Sequence, residues 1–464
     1  MSYPDYFQAM DHARLRADHP IGEEFVSRFK SMSRDALRAQ QERMFQRVMQ
    51  FAWKVPFYRR HWGAKGIEPG DIRGLDDLPK LPTYSKTELM ASVAEHPPFG
   101  DFHGLDTYAP DQRPPVVFQT TSGTTGRPQP LFFGPRSREI QNLLLARLWR
   151  FQGLKTEDVI HSVYGHGTIN GGHYVREAAL HWTNSIFLSA GTGVETRSVT
   201  QVEYMRDFGA SVIVGFGDYI KRLSEVAREN GIEPGRDIRI RMISGHLGAE
   251  SRETMSAAWG GAEVYDWYGV GDTGVIAGEG PDRAGFYVME DAQFLELVDP
   301  DTLQPVAEGG TGNMVCTCLY KDDVYPIIRF NTNDLSQFID DPSPMGLNLR
   351  RIKGFLGRSD NMVKLRGINI FPAGIGVVIA EHPAAAGEYI CRVERQDGRD
   401  EMIVILETRA ERSAALEEEF KALLRRRLGV EMGVEFAGVG ELAPLTGIET
   451  RQKPIRLIDK RPKG

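Results

Sequence analysis

Cysteine is scarce in this sequence, with three among 464 residues. Three cysteines cannot build the disulfide framework that stabilises small secreted domains, so reduced thiols are predicted. No apolar stretch approaches the roughly 18 residues that a membrane-spanning helix needs. The N-terminal segment MSYPDYFQAMDHARLRADHP also lacks the apolar core of a signal peptide. These absences predict a cytoplasmic protein, and the length favours an enzyme over a small binding module.

A strongly basic balance is absent too. The 56 Lys and Arg residues against 63 Asp and Glu residues give a net charge of −7, which provides no global field for nucleic acid. Hydrophobic residues make up 41% and charged residues 26%, as in ordinary globular proteins with a large core. The length predicts about three domains, or one large and one small.

The apolar pattern that is present predicts an α/β protein. Residues 1–80 show helical spacing and then irregular chain rich in Pro and Gly. Between residues 115 and 300, strand-like runs that begin with VVF at 116–118 alternate with amphipathic helices, which indicates a parallel sheet covered by helices. Short strands between Gly, Pro and Asp turns follow from about residue 285 and predict a β-rich subdomain.

The C-terminal part, from about residue 359, is predicted to be a separate small α+β unit. Two strands joined by a turn at Asp397-Gly398 form a hairpin. The amphipathic helix LEEEFKALLRRRLG then stops at Gly429, and a strand near VEFAGV follows.

The strongest local signal is the segment QTTSGTTGRPQP, residues 119–130. Its glycines permit close approach of the backbone to a ligand, and its hydroxyls and one guanidinium can hold phosphate oxygens. It is not a Walker A loop, because no GxxxxGK[ST] is present. A Gly/Thr surface turn is the alternative for this segment by itself. The candidate phosphate-binding residues are Thr121, Ser122, Gly123, Thr124, Thr125, Gly126 and Arg127.

The second signal is the segment VYDWYGVGDTG, residues 264–274. Its aromatic pair, Trp267 and Tyr268, ends a strand, and an aromatic ring can stack on a nucleotide base. The acid that follows, Asp272, can hold Mg²⁺ through its oxygens. A strand-end turn with core aromatics is the alternative for this segment alone.

Three further segments are ambiguous when each is taken alone. Asp334 in PIIRFNTNDLS is suited to bind ribose hydroxyls or to cap a turn. The segment LGRSDNMVKLRGINIFP, residues 356–372, lies where an interdomain hinge is expected. The basic C-terminus ETRQKPIRLIDKRPKG is a solvated tail or a source of one phosphate-neutralising cation.

In this fixed order, the five segments resemble the motifs of the adenylate-forming enzymes, which activate carboxylates as acyl-AMP. Within that superfamily they are most similar to the phenylacetate–coenzyme A ligase family. The family motifs SSGTTGKP, YGLSE and IRYRTRDL correspond to TSGTTGRP, YGVGD and IRFNTNDL here. GRSDDMLIIRGVNVFP and GKAKRVIDKR correspond to GRSDNMVKLRGINIFP and QKPIRLIDKR. The resemblance extends over essentially the whole chain.

The resemblance implies a large N-terminal adenylation domain, residues 1–357, and a small mobile α+β lid domain, residues 358–464, with its hinge near Asp360. It also implies two half-reactions. Carboxylate and MgATP first give acyl-adenylate and pyrophosphate, and the small domain then rotates so that an acceptor displaces AMP.

Residue roles follow from the same resemblance. Ser122 to Arg127 would wrap the β- and γ-phosphates, and Asp272 would hold Mg²⁺. Lys453 would bridge the attacking carboxylate and the α-phosphate, assisted as a catalytic group by Arg358 and Asp272. The adenine and ribose contacts would come from Gly248, Ala249, Glu250, Tyr268, Gly269, Asp334 and Arg358.

Departures from the family pattern concern the metal and the acid. The family glutamate is Asp272 here, one methylene shorter, and the usual Lys or Thr after the loop proline is Gln129. The family pocket segment YGYGLFTGG is YGHGTINGG here, which exchanges an aromatic clamp for a mixed pocket and predicts a cyclic, oxygenated or alicyclic acid rather than plain phenylacetate. The candidate pocket residues are Tyr164, His166, Gly167, Ile169, Asn170 and Trp267.

The predicted cofactors are ATP and Mg²⁺, with coenzyme A as the predicted co-substrate. An amino acid acceptor, as in coronafacate-ligase-type relatives, is the main alternative, and a carrier protein or a non-catalytic nucleotide-binding role are further ones. No structural zinc is expected, because GVIAGEGPDRAG, after the YG motif, has no Cys or His. A homodimer formed through the helical N-terminus is suggested, with neither nucleic acid nor membrane as a partner.

Overall fold

A computed structural model describes residues 5–121, 127–248, 250–359, 363–366, 368–396, 399–448 and 454–461. Short 3₁₀ helices lie at Leu75–Lys80, Leu105–Thr107 and Pro372–Gly374. The α-helices are α1 His12–Asp18, α2 Glu23–Ser31, α3 Arg34–Ala52, α4 Pro56–Gly63, α5 Lys86–Glu95, α6 Pro135–Phe151, α7 Asn170–Trp182, α8 Ser198–Asp207, α9 Gly217–Glu229, α10 Arg252–Ala258, α11 Ile375–Ile379, α12 Ala414–Leu428 and α13 Ala443–Thr446.

The strands in the described residues are short in the N-terminal part and longest near the C-terminus. They are β1 Val117–Thr120, β2 Pro130–Phe133, β3 Val159–Ser162, β4 Ile186–Ser189, β5 Val212–Phe216, β6 Met242–His246, β7 Glu263–Val270, β8 Gly274–Glu279, β9 Phe286–Val288, β10 Gln293–Val298, β11 Thr311–Cys318, β12 Phe330–Ile339, β13 Arg351–Ile352, β14 Gly357–Arg358, β15 Val363–Leu365, β16 Ile368–Ile370, β17 Ala385–Gln396, β18 Arg399–Thr408, β19 Gly433–Ala437 and β20 Leu457–Asp459. The mixture of helices and sheets confirms the predicted α/β class.

The chain divides into two compact units, the first of which contains residues 1–158, 166–187 and 265–355. Its sheet has the order β10-β11-β12-β13-β9-β8-β7, and its neighbouring strands pair antiparallel. The prediction of a β-rich part after residue 285 is therefore confirmed. In this unit, helix α3 buries one side and helix α6 buries nearly all of its surface.

One strand prediction was wrong, because the run at 116–118 does not belong to a parallel sheet. It contributes to β1, which pairs antiparallel with β2 and matches Thr120 with Pro130. Strand β2, and not a helix, is therefore the first described element after the Gly/Thr segment, and α6 follows it. Periodicity identifies a strand without naming its partner, which explains the error.

The second unit contains residues 159–165, 188–264 and 356–464. In its earlier part, β5 pairs parallel with both β3 and β6, as the strand–helix alternation predicted. Helix α9 covers these strands with residues at helical spacing. The buried members of this stripe are Tyr219, Ile220, Leu223, Val226 and Ala227.

The C-terminal part of the second unit contains a four-stranded sheet with the order β19-β18-β17-β20. Strands β17 and β18 form the predicted hairpin, with Gln396 opposite Arg399, while the turn residues 397 and 398 lie outside the described residues. Helix α12 begins at the N-cap Ser413 and ends before Gly429, which has the left-handed φ of 74°. The sequence did not reveal β20, which pairs parallel with β17.

No helix among the described residues is long and apolar enough to cross a membrane.

A buried carboxylate in α6 makes part of the first unit sensitive to pH. Glu139 accepts hydrogen bonds from the Tyr6 hydroxyl at 2.8 Å and from Nε1 of Trp182 at 2.8 Å, and Nδ1 of His181 lies 3.0 Å from it. The hydrogen bond to Glu139 raises the pKa of His181, and burial opposes this shift. The protonated imidazole therefore stabilises the fold fully below the ordinary histidine pKa, and this contribution is lost as pH rises through the raised value.

We expect His181→Gln to lower the free energy of unfolding by about 0.5–1 kcal/mol at pH 6, because a half-exposed ion pair contributes modestly. The loss should be smaller at pH 9, where wild-type His181 is neutral. Urea unfolding of both proteins at the two pH values measures this difference. His173→Gln is the control, because Nε2 of His173 lies 2.8 Å from a carbonyl oxygen, that of Gly167, and not from a carboxylate. Equal losses at both pH values would contradict the prediction.

Candidate functional site

Two residues that were assigned to the nucleotide by resemblance contact each other. Tyr268 lies near the end of β7 and Asp334 lies in β12, and the tyrosine hydroxyl donates a hydrogen bond to Oδ2 of Asp334 at 2.6 Å. Both side chains are buried. The backbone N–H of Asp334 donates to Oγ1 of Thr332, whose own hydroxyl donates to the carbonyl of Met314. The two candidate ligands thus contact each other although β13, β9 and β8 lie between their strands in the sheet order.

The turn between β7 and β8 carries Asp272, the predicted metal ligand. Its side chain is 3% exposed, and its Oδ1 accepts hydrogen bonds from Nε2 of Gln129 at 2.6 Å and from the Tyr325 hydroxyl at 2.9 Å. Both of these hydrogen bonds from described residues fall on Oδ1, which leaves Oδ2 as the oxygen that could contact Mg²⁺. A carboxylate oxygen is a preferred Mg²⁺ ligand, so the side chain fits the predicted role.

The electrostatic surroundings of Asp272 are unusual because little water reaches them. Burial raises its pKa, and the hydrogen bonds from Tyr325 and Gln129 oppose this shift. Lys321 is also fully buried and makes no hydrogen bond to any described residue. Its ammonium lies 4.6 Å from the ring centroid of Phe133 and 5.0 Å from that of Tyr325. Burial lowers the pKa of Lys321, and the Asp272 carboxylate acts in the opposite direction.

The backbone of the Asp272 turn is held by buried side chains on both sides. Nε2 of Gln293 donates to the carbonyls of Thr273 at 2.9 Å and Val275 at 3.2 Å, and the Tyr320 hydroxyl donates to the Thr273 carbonyl at 2.8 Å. Gly274 has a φ of 65°, and a Cβ there would lie 2.3 Å from the Gln141 side chain. The turn therefore requires glycine and is preorganised.

The Gly/Thr segment begins and ends on residues that pair with each other. The N–H of Thr121 donates to the carbonyl of Gln129 at 3.0 Å, and the N–H of Gln129 donates to Oγ1 of Thr121 at 3.1 Å. Arg127 is exposed. The remaining predicted phosphate-binding residues, 122–126, lie outside the described residues. Gln129 thus closes this segment with its backbone and contacts Asp272 with its side chain.

Asn170, at the start of α7, was predicted to line the acid pocket. Its Oδ1 accepts a hydrogen bond from Nη1 of Arg138 at 2.6 Å, and its Nδ2 donates to the carbonyl of Gly271 at 3.3 Å. The Arg138 guanidinium is fully buried and also pairs with Glu177 through Nε at 2.5 Å. Both ends of the amide are therefore engaged, and Asn170 links α6 and α7 to the residue before Asp272.

The other candidate pocket residues of the first unit lie beside β1 or in β7. The N–H of Thr120 donates to the carbonyl of Thr168 at 2.7 Å, which brings the strand before the Gly/Thr segment beside residues 167–169. Gly167 is exposed, while His166 and Ile169 are half-buried. The His166 ring lies 5.7 Å from that of His173. Trp267 is buried, and Gly269 packs so tightly that a Cβ would lie 2.3 Å from the Gly274 carbonyl.

In the second unit, an aromatic cluster lies at the carboxyl ends of three parallel strands. The Tyr164 ring lies 5.1 Å from that of Phe216 and 6.3 Å from that of His246, and Phe216 and His246 stack at 5.1 Å. Ligands of α/β sheets commonly bind at this edge. The sequence predicted Tyr164 but not Phe216 and His246, which are the last residues of β5 and β6 and lie at the end of, or next to, a strand-like run. That position was the available signal.

The remaining predicted residues of the second unit are described only in part. Gly248 is exposed with a φ of 63°, and Oε1 of Glu250 lies 2.9 Å from Nζ of Lys221. Arg358 lies in β14 and is half-buried. Ala249, Asp360 and Lys453 lie outside the described residues.

A resident metal centre has no support from the described parts of the chain, which contain no group of three or more His, Cys, Asp or Glu residues suited to hold an ion. Cys316, Cys318 and Cys391 are all buried, and Sγ of Cys316 contacts Oε1 of Gln293 at 3.2 Å.

Comparison with known proteins finds an AMP-binding enzyme domain and several coenzyme A ligases that are similar to this chain. Residues 367–461 match the family model of the AMP-binding enzyme C-terminal domain. The chain is 28% identical to a phenylacetate-coenzyme A ligase of Aromatoleum evansii over 447 residues, which is 93% of this chain and 96% of the relative. It is 26% identical to a 2-hydroxyisobutyryl-CoA ligase with bound 2-HIB-AMP in the postadenylation state, with a TM-score of 0.82 and coverage of 94% and 92%. The same ligase with 2-HIB-AMP and CoA in the thioesterification state gives 0.66 at the same coverage.

Proposed function

Since the chain belongs to the adenylate-forming ligases and resembles phenylacetate–coenzyme A ligases, we propose that it joins an aryl or cyclic carboxylic acid to coenzyme A. The chain is an AMP-forming acid ligase, as its relatives indicate. In the first step, a carboxylate oxygen attacks the α-phosphorus of MgATP and pyrophosphate leaves. In the second step, the thiol of coenzyme A attacks the acyl carbon, AMP leaves, and the thiol proton is released.

The hydrogen bond between Tyr268 and Asp334 is the single observation that best supports this proposal. It joins an aromatic ring to a carboxylate across two strands at 2.6 Å, and Asp272 lies four residues after the tyrosine. We propose that the ring stacks on adenine and that Asp334 accepts hydrogen bonds from the ribose hydroxyls. Asp272 would then meet the metal that enters with the triphosphate. Base, sugar and metal contacts would thus be held by one sheet and its turn.

The chemistry of adenylation explains why cations are needed. Attack of a carboxylate on a phosphate brings two anions together, and positive charge must offset their repulsion in the transition state. We propose that Lys453 supplies a compact ammonium at the α-phosphate and that Arg358 assists. Mg²⁺ carried by ATP would supply the remaining charge, and Asp272 is the residue that would hold it. The buried turn around Asp272 costs little reorganisation because its hydrogen bonds already exist.

The proposed acid is defined by the candidate pocket residues and by the aromatic cluster. We propose that Tyr164, Phe216 and His246 present flat surfaces and one polar imidazole to the acid, which favours a ring that carries a polar substituent. The amide of Asn170 already has partners in Arg138 and Gly271, so it contributes to the turn rather than to a polar pocket. A cyclic or aryl acid with one hydrogen-bonding group is therefore the preferred substrate class.

A competition assay tests the function. Purified protein is incubated with MgATP, coenzyme A, the common amino acids and a panel of aryl, alicyclic and short hydroxy acids, and products are identified by mass spectrometry with AMP and pyrophosphate quantified. We expect an acyl-CoA of a substituted cyclic acid together with equal amounts of AMP and pyrophosphate. Formation of an N-acyl amino acid would show that the acceptor is an amine and not coenzyme A. Efficient use of plain phenylacetate or of a short hydroxy acid would contradict the proposed acid class.

A further inference from the structure

Arg456 is held firmly inside the C-terminal part of the second unit. It directly precedes β20, which pairs with β17. Its Nη1 and Nη2 each lie 3.1 Å from a carboxylate oxygen of Glu388, and Nη1 also donates to the Tyr389 carbonyl at 2.8 Å. Its guanidinium lies 4.4 Å from the Tyr389 ring centroid. These contacts all lie within the C-terminal part of the second unit.

The same guanidinium also contacts a distant residue of the second unit. Oδ2 of Asp218, in the first turn of α9, lies 3.4 Å from Nη2 of Arg456. The two side chains are 15% and 10% exposed. Among the described residues, Arg456 is the ion-pair partner of Asp218. The nearby Lys221 pairs instead with Glu250 at 2.9 Å. The contact therefore joins α9 to the C-terminal part of the second unit by one ion pair.

Asp218 depends on this contact more than Arg456 does. Burial raises the pKa of Asp218 to about 6, while Arg456 opposes the shift and the negative charges of Glu250 and Glu388 add to it. Arg456 would keep Glu388 if α9 were absent, whereas Asp218 would lose its only ion-pair partner among the described residues. Loss of Arg456 would leave the buried Asp218 carboxylate without its charge partner, so the ionised carboxylate favours the arrangement in which the two side chains are in contact.

Arg456 also lies close in sequence to the proposed catalytic lysine. It lies three positions after Lys453, and an extended chain advances about 3.3–3.6 Å per residue. A fixed position of Arg456 therefore restricts the region that the lysine can reach. Rotation of the C-terminal part between the half-reactions, as the proposed function requires, would break the contact with Asp218 and leave the contacts with Glu388 intact.

We propose that Asp218 is a positioning residue for adenylation: it receives Arg456 and thereby sets the segment that carries Lys453 during the first half-reaction only. The inference rests on the proposed function. Loss of the Asp218 carboxylate should slow adenylate formation and spare the transfer of a preformed acyl group.

The test compares the two half-reactions in Asp218→Asn, which keeps the size of the side chain and removes its charge. Adenylation is followed by acid-dependent exchange of labelled pyrophosphate into ATP, with the acid that releases most AMP in the panel. Transfer is followed by thioester formation from the synthetic adenylate of that acid and coenzyme A. We expect adenylation to fall about 3- to 10-fold, the net value of one hydrogen-bonded ion pair, and transfer to stay unchanged.

Two matched variants complete the test. Asp218→Glu keeps the charge and should restore most of the adenylation rate. Glu435→Gln removes an ion pair within the C-terminal sheet, where Oε2 of Glu435 lies 3.1 Å from Nη1 of Arg392, and should change neither half-reaction. Equal loss of both half-reactions in Asp218→Asn, or loss of neither, would overturn this inference and leave the proposed function intact. If the wild-type protein forms no adenylate with any acid, the proposed function fails and the inference fails with it.

Discussion

Replacement of Lys453 by alanine is expected to lower the rate of adenylate formation by about 10²–10³-fold, the usual loss when one group that stabilises developing charge is removed. The ammonium is proposed to offset the repulsion between the attacking carboxylate and the α-phosphate. This repulsion is greatest in the transition state, so the turnover number should fall while ATP binding persists. Pyrophosphate release and equilibrium dialysis with ATP measure the two quantities.

Two further variants separate this role from a general effect of charge in the tail. Lys460→Ala removes an exposed lysine whose backbone N–H donates to the Val393 carbonyl, and it should leave adenylation unchanged. Lys453→Arg keeps the charge but spreads it over a planar fork, so an intermediate rate is expected. Turnover of the alanine variant at the wild-type rate would refute the assignment of Lys453.

The sequence predicted the elements of the fold better than their partners. Helices α9 and α12 and the hairpin β17–β18 were predictable, because each combines a local period with a local start or stop signal. The partners of β1 and the existence of β20 were not predictable in the same way. Strand pairing joins residues that are distant in the chain, and a three-residue strand such as Leu457–Asp459 has too few residues to show alternation.

The candidate site shows the same division between motif residues and their support. Tyr268 and Asp334, which lie in separate motifs, contact each other through one hydrogen bond. Tyr325 contacts Asp272, the Lys321 ammonium lies over the Tyr325 ring, and Arg138 holds Asn170. None of the three supporting residues lies in a segment with a recognisable local signal. A buried tyrosine, lysine or arginine resembles any core residue until its partner is known.

Side chains from several parts of the first unit donate hydrogen bonds to one short stretch of chain. Residues 271–275 receive hydrogen bonds from Asn170, Gln129, Tyr325, Gln293 and Tyr320. All five donors are side chains outside the motif that contains the turn. We infer that the departures from the family pattern at Asp272 and Gln129 are linked, since a shorter acid withdraws its oxygens and a long amide reaches them.

Removal of the Gln129 side chain provides the second large expected effect. We expect Gln129→Ala to lower kcat/KM for MgATP by about 10- to 100-fold, because a hydrogen bond to a charged group contributes about 1.5–3 kcal/mol. The loss should be accompanied by a higher Mg²⁺ concentration for half-maximal activity, since Gln129 is proposed to act through the carboxylate that meets the metal. A purely structural role would lower the free energy of unfolding without this change in Mg²⁺ dependence.

A double-mutant cycle with Asp272→Asn isolates the link between the two residues. If Gln129 acts only through Asp272, the double variant should be no slower than Asp272→Asn alone, so that the coupling energy equals the whole effect of Gln129→Ala. The matched control is Gln152→Ala, because Gln152 is another buried glutamine of the same unit whose Nε2 donates to the Glu279 carbonyl at 3.3 Å. Its loss should affect stability and leave the Mg²⁺ dependence unchanged. Independent, multiplicative losses in the Gln129 and Asp272 cycle would show that the two substitutions act separately, and the metal site would then depend on Asp272 without Gln129.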